Sequence, residues 1–138
     1  MGIEKSGESK LLEVIRAHGF KAWHMDCTVD GMPDILALGK WNSFTIEVKY
    51  GPLSKPLVKA FEPSQPIWHY GVNKAGYENT FQVLYDDHKN FHLYRLANLY
   101  NDVISKPAVL FRDLRPLASG SAEEVVSAIE RWIGTEKE

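Results

Sequence analysis

Two short apolar runs on either side of a polar turn constrain this chain more than any other feature. In Ser43-Phe44-Thr45-Ile46-Glu47-Val48-Lys49, Phe44, Ile46 and Val48 alternate with Thr45, Glu47 and Lys49. Alternation at period two is that of a strand with one face on a core, so Glu47 and Lys49 leave the same face. Upstream, Pro33-Asp34-Ile35-Leu36-Ala37-Leu38 reads as a short, largely buried strand. Gly39-Lys40-Trp41-Asn42 reads as the turn that returns the chain antiparallel. Asp34 then lies beside Glu47, although twelve residues intervene in sequence.

Two neighbouring carboxylates with an ammonium two residues on suit the holding of a hard cation against a phosphodiester. Mg²⁺ takes oxygen ligands at about 2.0–2.1 Å, with one or two carboxylates completed by water and phosphate oxygens. Asp34 and Glu47 meet that need. Lys49 can orient or deprotonate the attacking water, or stabilise charge developing at phosphorus.

With these residues in place the chain resembles the PD-(D/E)xK nuclease superfamily, closest to its Holliday-junction-resolvase-like and virus-type replication-repair (VRR) branches. The likeness extends beyond the motif. The run from Gly7 through Glu13 to Gly19-Phe20 resembles the family's first helix, in which a glutamate about three turns before a Gly-Phe pair is the third acidic residue. That register implies Glu8, eleven positions before Gly19, with Glu13 as the fallback. The two cannot both serve, because five helical positions turn a side chain about 140° away. Pro63-Ser64-Gln65-Pro66-Ile67-Trp68 followed by Lys74-Ala75-Gly76 resembles the second helix, whose glutamine lies near the site and implies Gln65. The likeness spans roughly residues 7–95 and ends after Arg95.

The resemblance implies an α/β, restriction-endonuclease-like fold with a mixed central β-sheet flanked by α-helices. It implies a Mg²⁺- or Mn²⁺-dependent endonuclease acting on branched DNA such as a junction or flap. Asp34, Glu47 and the Val48 carbonyl hold the metal, Lys49 handles the water, and Glu8 completes the acidic cluster. A homodimer is implied too, since two symmetric cuts need two sites.

Composition bounds this reading. A chain of 138 residues is one domain, here a core over about 7–95 and an extension over 96–138. The 44% hydrophobic and 25% charged shares are those of a globular protein, and no apolar run approaches the ~20 residues that cross a bilayer. The polar opening residues do not form a signal peptide, and a single cysteine, Cys27, excludes an internal disulfide and a cysteine-based zinc site. A cytoplasmic setting follows, and the small size suits a phage or mobile-element protein acting in the host cytoplasm. The net charge of −2 argues against binding phosphates. Residues 40–74, however, hold five lysines against two glutamates, and they bracket the expected site. Lys55, Lys59 and Lys74 are the candidate phosphate contacts.

Periodicity sets the remaining elements. A first helix carries Leu11, Leu12 and Ile15, with Ser6 or Ser9 as caps, and residues 20–27 alternate as a first strand. Gly51–Pro56 is a loop, and 64–75 a second helix that admits Pro66 in its first turn. Asn79–Asp86 and Phe91–Arg95 are strands, 97–120 shows no period, and Ser121-Ala122-Glu123-Glu124 is a capping box for a last helix closed by Gly134.

Each choice has a plainer alternative. Asp34, Glu47 and Lys49 could be surface charges paired across strands. Glu8 could serve only the helix dipole, Gln65 only a cap, and Lys55 and Lys59 only solvation. His24, His69, His88 and His92 are scattered and read as ordinary histidines, not a metal site. Trp23, Trp41, Trp68 and Trp132 read as core and rim packing, with Trp68 and Tyr70 best placed to stack on bases. The rival to a nuclease is a non-catalytic module that uses the same fold to hold nucleic acid or a protein. A self-repelling acid pair without metal speaks against that rival.

Overall fold

The alternating run does form a strand, and the strand is the centre of the sheet. The computed structural model describes residues 3–25, 33–56, 74–96 and 109–135. Helix α1 (Ile3–Ala17) precedes β1 (Lys21–His24), β2 (Ile35–Leu38), β3 (Ser43–Tyr50), β4 (Thr80–Tyr85), β5 (Phe91–Arg95), β6 (Ala118–Gly120) and helix α2 (Ala122–Thr135). The strands lie side by side in chain order. All neighbours are antiparallel except β3 and β4, whose parallel pairing requires a crossover, which residues 51–79 supply. The result is the expected mixed sheet with helices, an α/β fold.

One face of the sheet carries the main core. Ile46 and Val48 of β3, Phe81 and Val83 of β4 and Leu93 of β5 are fully buried against Leu11 and Ile15 of α1 and Val125, Val126 and Ile129 of α2. Each such side chain stabilises the fold by about 1.5–3 kcal/mol through removal from water. Phe20, Phe44 and Phe81 meet edge to face, with centroids 5.1 and 6.3 Å apart. α1 lies close to the sheet at Gly7, where a Cβ would sit 2.7 Å from the Tyr85 ring.

Three boundaries differ from the sequence expectation. α1 starts at Ile3, so Ser6 and Ser9 are helical rather than capping residues. The Gly7–Tyr85 contact gives the turns before the apolar stripe a tertiary anchor that periodicity does not register. β1 stops at His24, short of the expected Cys27. α2 opens on the predicted capping box, with the Glu124 amide donating to Ser121 Oγ at 3.2 Å and the Ser121 amide to Glu124 Oε1 at 3.3 Å. It runs through Gly134 to Thr135, because buried Ile133 holds the last turn and one helical glycine costs only about 1 kcal/mol.

The other sheet face has a smaller core of Leu84, Tyr94 and Phe111. Phe111 comes from a 3-10 turn (Phe111–Asp113), and its ring lies 5.5 Å from that of Tyr94. Burial pushes the Tyr94 hydroxyl up to about 12. Among the described residues of the stretch that showed no period, β6 follows that turn. Its three residues pair with β5 from Leu93↔Ala118 to Phe91↔Gly120.

Candidate metal and nucleic-acid site

Register places the two acids opposite each other. β2 and β3 pair with Ile35↔Ile46 and Leu36↔Thr45. Continued one residue, that register sets Asp34 against Glu47, on the face opposite Ile35 and Ile46. Residues so opposed have Cβ atoms about 4.5–5.5 Å apart. Asp34 Oδ2 accepts a hydrogen bond of 2.8 Å from the Val48 amide, which fixes the carboxylate beyond the end of β2. The same register brings Pro33, which has no amide to offer a ladder, opposite Val48. Glu47 is only 1% exposed. Lys49, two residues on and on the same face, is half-buried at the end of β3.

Across the parallel ladder Glu47 faces Gln82. Gln82 is fully buried; its amide nitrogen donates to the Val83 carbonyl at 3.3 Å, and among the described residues its Oε1 has no hydrogen-bond donor. Sequence reading passed over Gln82 because it sits in an otherwise ordinary strand, and only the register of β3 on β4 sets it beside the glutamate.

Glu8 is buried to 5% exposure, whereas Glu13 is in solvent beside Lys10 at 3.8 Å. The Glu8 carboxylate is held by His24 Nδ1. His24 pairs with Ile35 and so projects to the helix-covered face, away from the face of Asp34 and Glu47. Among the described residues no three His, Cys, Asp or Glu side chains converge as a metal-holding group. The structure thus brings Asp34, Glu47 and Lys49 together and sets Glu8 beside His24.

Of the phosphate candidates, Lys55 is half-buried in the loop after β3. Its Nζ donates to the Tyr50 carbonyl at 3.0 Å, and its side chain lies over Gly51, where a Cβ would meet it at 2.8 Å. Lys74 is exposed. Lys59, Gln65, Trp68, Tyr70 and most of the expected second helix lie outside the described residues. Two of the tryptophans depart from the expectation of packing, Trp41 at 75% and Trp23 at 44% exposure, whereas Trp132 packs against the main core as expected. Trp23 leaves β1 on the face opposite the one that Ile35 and Ala37 turn to the helices, and Trp41, in the β2–β3 turn, lines a cleft with His18, Phe20 and Glu130 of α2.

A hard cation fits the donor set. Two carboxylates opposed across one strand pair repel each other, and a buried acid is stable as an anion only with compensating charge or donors. Oxygen donors at this spacing match Mg²⁺ or Mn²⁺ better than softer metals.

No protein-family model matches the sequence, and no curated protein matches it. Among solved structures the chain is similar to Hjc of Archaeoglobus fulgidus, described as a Holliday junction resolvase from an archaeal hyperthermophile. The TM-score is 0.51 at 18% identity over 70% of this chain and 75% of that one. The likeness establishes a resolvase-like, restriction-endonuclease-like fold. Among the described residues no helix is long and apolar enough to cross a membrane.

Proposed function

We propose that this chain is a divalent-metal-dependent DNA endonuclease acting on branched DNA. The observation that carries the reading is the opposition of Asp34 and Glu47, with Lys49 on the same face, in a fold shared with a Holliday junction resolvase. Asp34, Glu47 and the Val48 carbonyl would hold Mg²⁺ or Mn²⁺, which when bound supplies Lewis-acid stabilisation of the phosphodiester's charge. The Val48 amide keeps Asp34 in place for that role. The Lys49 ammonium orients the attacking water and offsets charge developing at phosphorus. Glu8 would join the cluster after exchanging His24 for the site, and Gln65 would lie beside it. Lys55, Lys59 and Lys74 would meet backbone phosphates, and two copies would make paired cuts.

The contact of Glu8 with His24 and the lack of a three-acid group among the described residues favour a second reading, a non-catalytic DNA-binding module. One experiment separates the two. Supercoiled plasmid, linear duplex, single strand and a synthetic four-way junction are incubated with wild type, Asp34→Asn and Glu47→Gln in Mg²⁺, Mn²⁺ or EDTA. The nuclease reading requires cutting that needs the ion and both acids; binding without cutting in every lane sinks it.

A further inference from the structure

The sheet face that bears Asp34 continues along the β1–β2 hairpin as a surface of rings and cations. Asp34, Leu36 and Leu38 alternate onto this face, and the register Trp23↔Leu36 and Lys21↔Leu38 places Trp23 and Lys21 on it too. At its far end the β2–β3 turn carries Lys40 and Trp41, with Lys40 Nζ 5.2 Å from the Trp41 ring centroid. Trp41 at 75% exposure, Trp23 at 44% and Leu38 at 42% are three of the large hydrophobic side chains the protein leaves in water. At about 3.3 Å per strand residue Asp34 to Leu38 spans about 13 Å, and the turn carries Trp41 a few ångströms further, with Trp23 and Lys21 between. Glu130 is the acid in the cleft beside Trp41, and it is engaged by His18.

Two rings with two ammonium groups between them complement a strand whose bases are unstacked and whose phosphates are charged; a paired duplex presents no base faces to such rings. We propose that this face is a track for an unpaired DNA strand leaving the Asp34–Glu47 site, with Trp23 and Trp41 stacking on bases and Lys21 and Lys40 meeting phosphates. The length suits about four nucleotides, the lower end of single-strand footprints. The direction of the strand rests on the nuclease reading; the stacking surface does not.

The test measures binding of labelled dT16 and of blunt duplex to Glu47→Gln protein in Ca²⁺ by fluorescence anisotropy, with polyglutamate as a competitor. Trp23→Ala and Trp41→Ala should each weaken dT16 binding by about tenfold, the effect of losing one stacked base, and leave duplex binding within about twofold. Polyglutamate should compete poorly. Unchanged dT16 affinity in Trp41→Ala, whose exposed ring can go without disturbing the core, overturns the track. Competition by polyglutamate equal to that by unlabelled dT16 overturns it as well, because charge alone would then account for binding. Plasmid cutting by the wild type is scored separately. A protein that cuts plasmid but ignores both substitutions keeps the nuclease and loses the track; one that cuts nothing yet binds dT16 through both rings does the reverse.

Discussion

Asp86 and the Asp34–Glu47 pair are carboxylates built into the same sheet and held in opposite ways. Asp86, 3% exposed, has donors on both oxygens: the amides of His88 and Asn90 on Oδ1 at 2.8 and 2.9 Å, and His92 Nε2 on Oδ2 at 2.7 Å. The other His92 nitrogen meets Ser119 Oγ at 2.8 Å, so the chain ties the β4–β5 turn to β6. Burial pushes the Asp86 carboxyl up, but the hydrogen bonds from His92, Asn90 and His88 outweigh it and hold it below the usual carboxylate value. Asp34, by contrast, accepts one strand amide and faces a second acid across the hairpin. An acid the fold itself needs is surrounded by donors. An acid set against another acid is stabilised best by a cation from outside.

The largest effect that could break this contrast is on cleavage. Glu47→Gln should lower the rate by at least about 10²–10³-fold, the scale of losing one group that stabilises the reacting charge. Asp86→Asn, assayed well below its melting temperature, should stay within about tenfold of wild type. Equal loss in both would show that the two carboxylates do not differ in kind.

Stability should reverse the order. Asp86→Ala strands His92 and two turn amides, and breaking such a buried arrangement costs about 3–5 kcal/mol. By calorimetry that is a Tm drop of about 10 °C or more. Glu47→Gln relieves like-charge opposition and should leave the metal-free Tm unchanged or raised. A large drop for Glu47→Gln would make it a structural acid like Asp86.

Salt dependence sharpens the site's outer boundary. Lys74→Ala should lower the slope of log K against log salt by about 0.9 on duplex if Lys74 meets one phosphate. An unchanged slope in Lys74→Ala beside a lowered one in Lys55→Ala, whose ammonium donates to the Tyr50 carbonyl, would place the DNA path over the loop after β3.

The smallest effect lies far from both acids, where His18 at the end of α1 reaches Glu130 and Glu123 of α2. The hydrogen bond with Glu130, outweighing desolvation, raises its pKa, and Glu123 adds to the rise. A raised folded value means the stabilisation is complete below the unfolded pKa of about 6.5 and is lost as pH climbs through the folded one. Solvent screening limits it to less than about 1 kcal/mol. Tm should therefore fall by no more than about 4 °C from pH 6 to pH 9, and His18→Gln should flatten that slope.

The central hairpin was legible in sequence because Phe44, Ile46 and Val48 alternate over a long strand with one apolar face. The same alternation predicted Asp34 opposite Glu47, and Ser121–Glu124 announced α2 through a local capping signal. What escaped was fixed by non-local contacts. β6 is three residues long and exists through its pairing with β5, and α1 begins early because Gly7 fits Tyr85. Glu8 meets His24 sixteen positions away, a pairing no local pattern encodes. The exposed tryptophans were read as packing because ring size alone does not say which sheet face lies uncovered.

Arg16 on α1 lays Nε and Nη2 on the Ala22 carbonyl at 3.1 and 2.7 Å, on the outermost strand of the sheet. A bare strand edge is a template on which another chain can grow, and a guanidinium seated on its carbonyl removes part of that template. Two copies joined by running their sheets together through β1 would have to evict this arginine from both. Pairing through β1 would therefore give up two hydrogen bonds in each copy before it gained any.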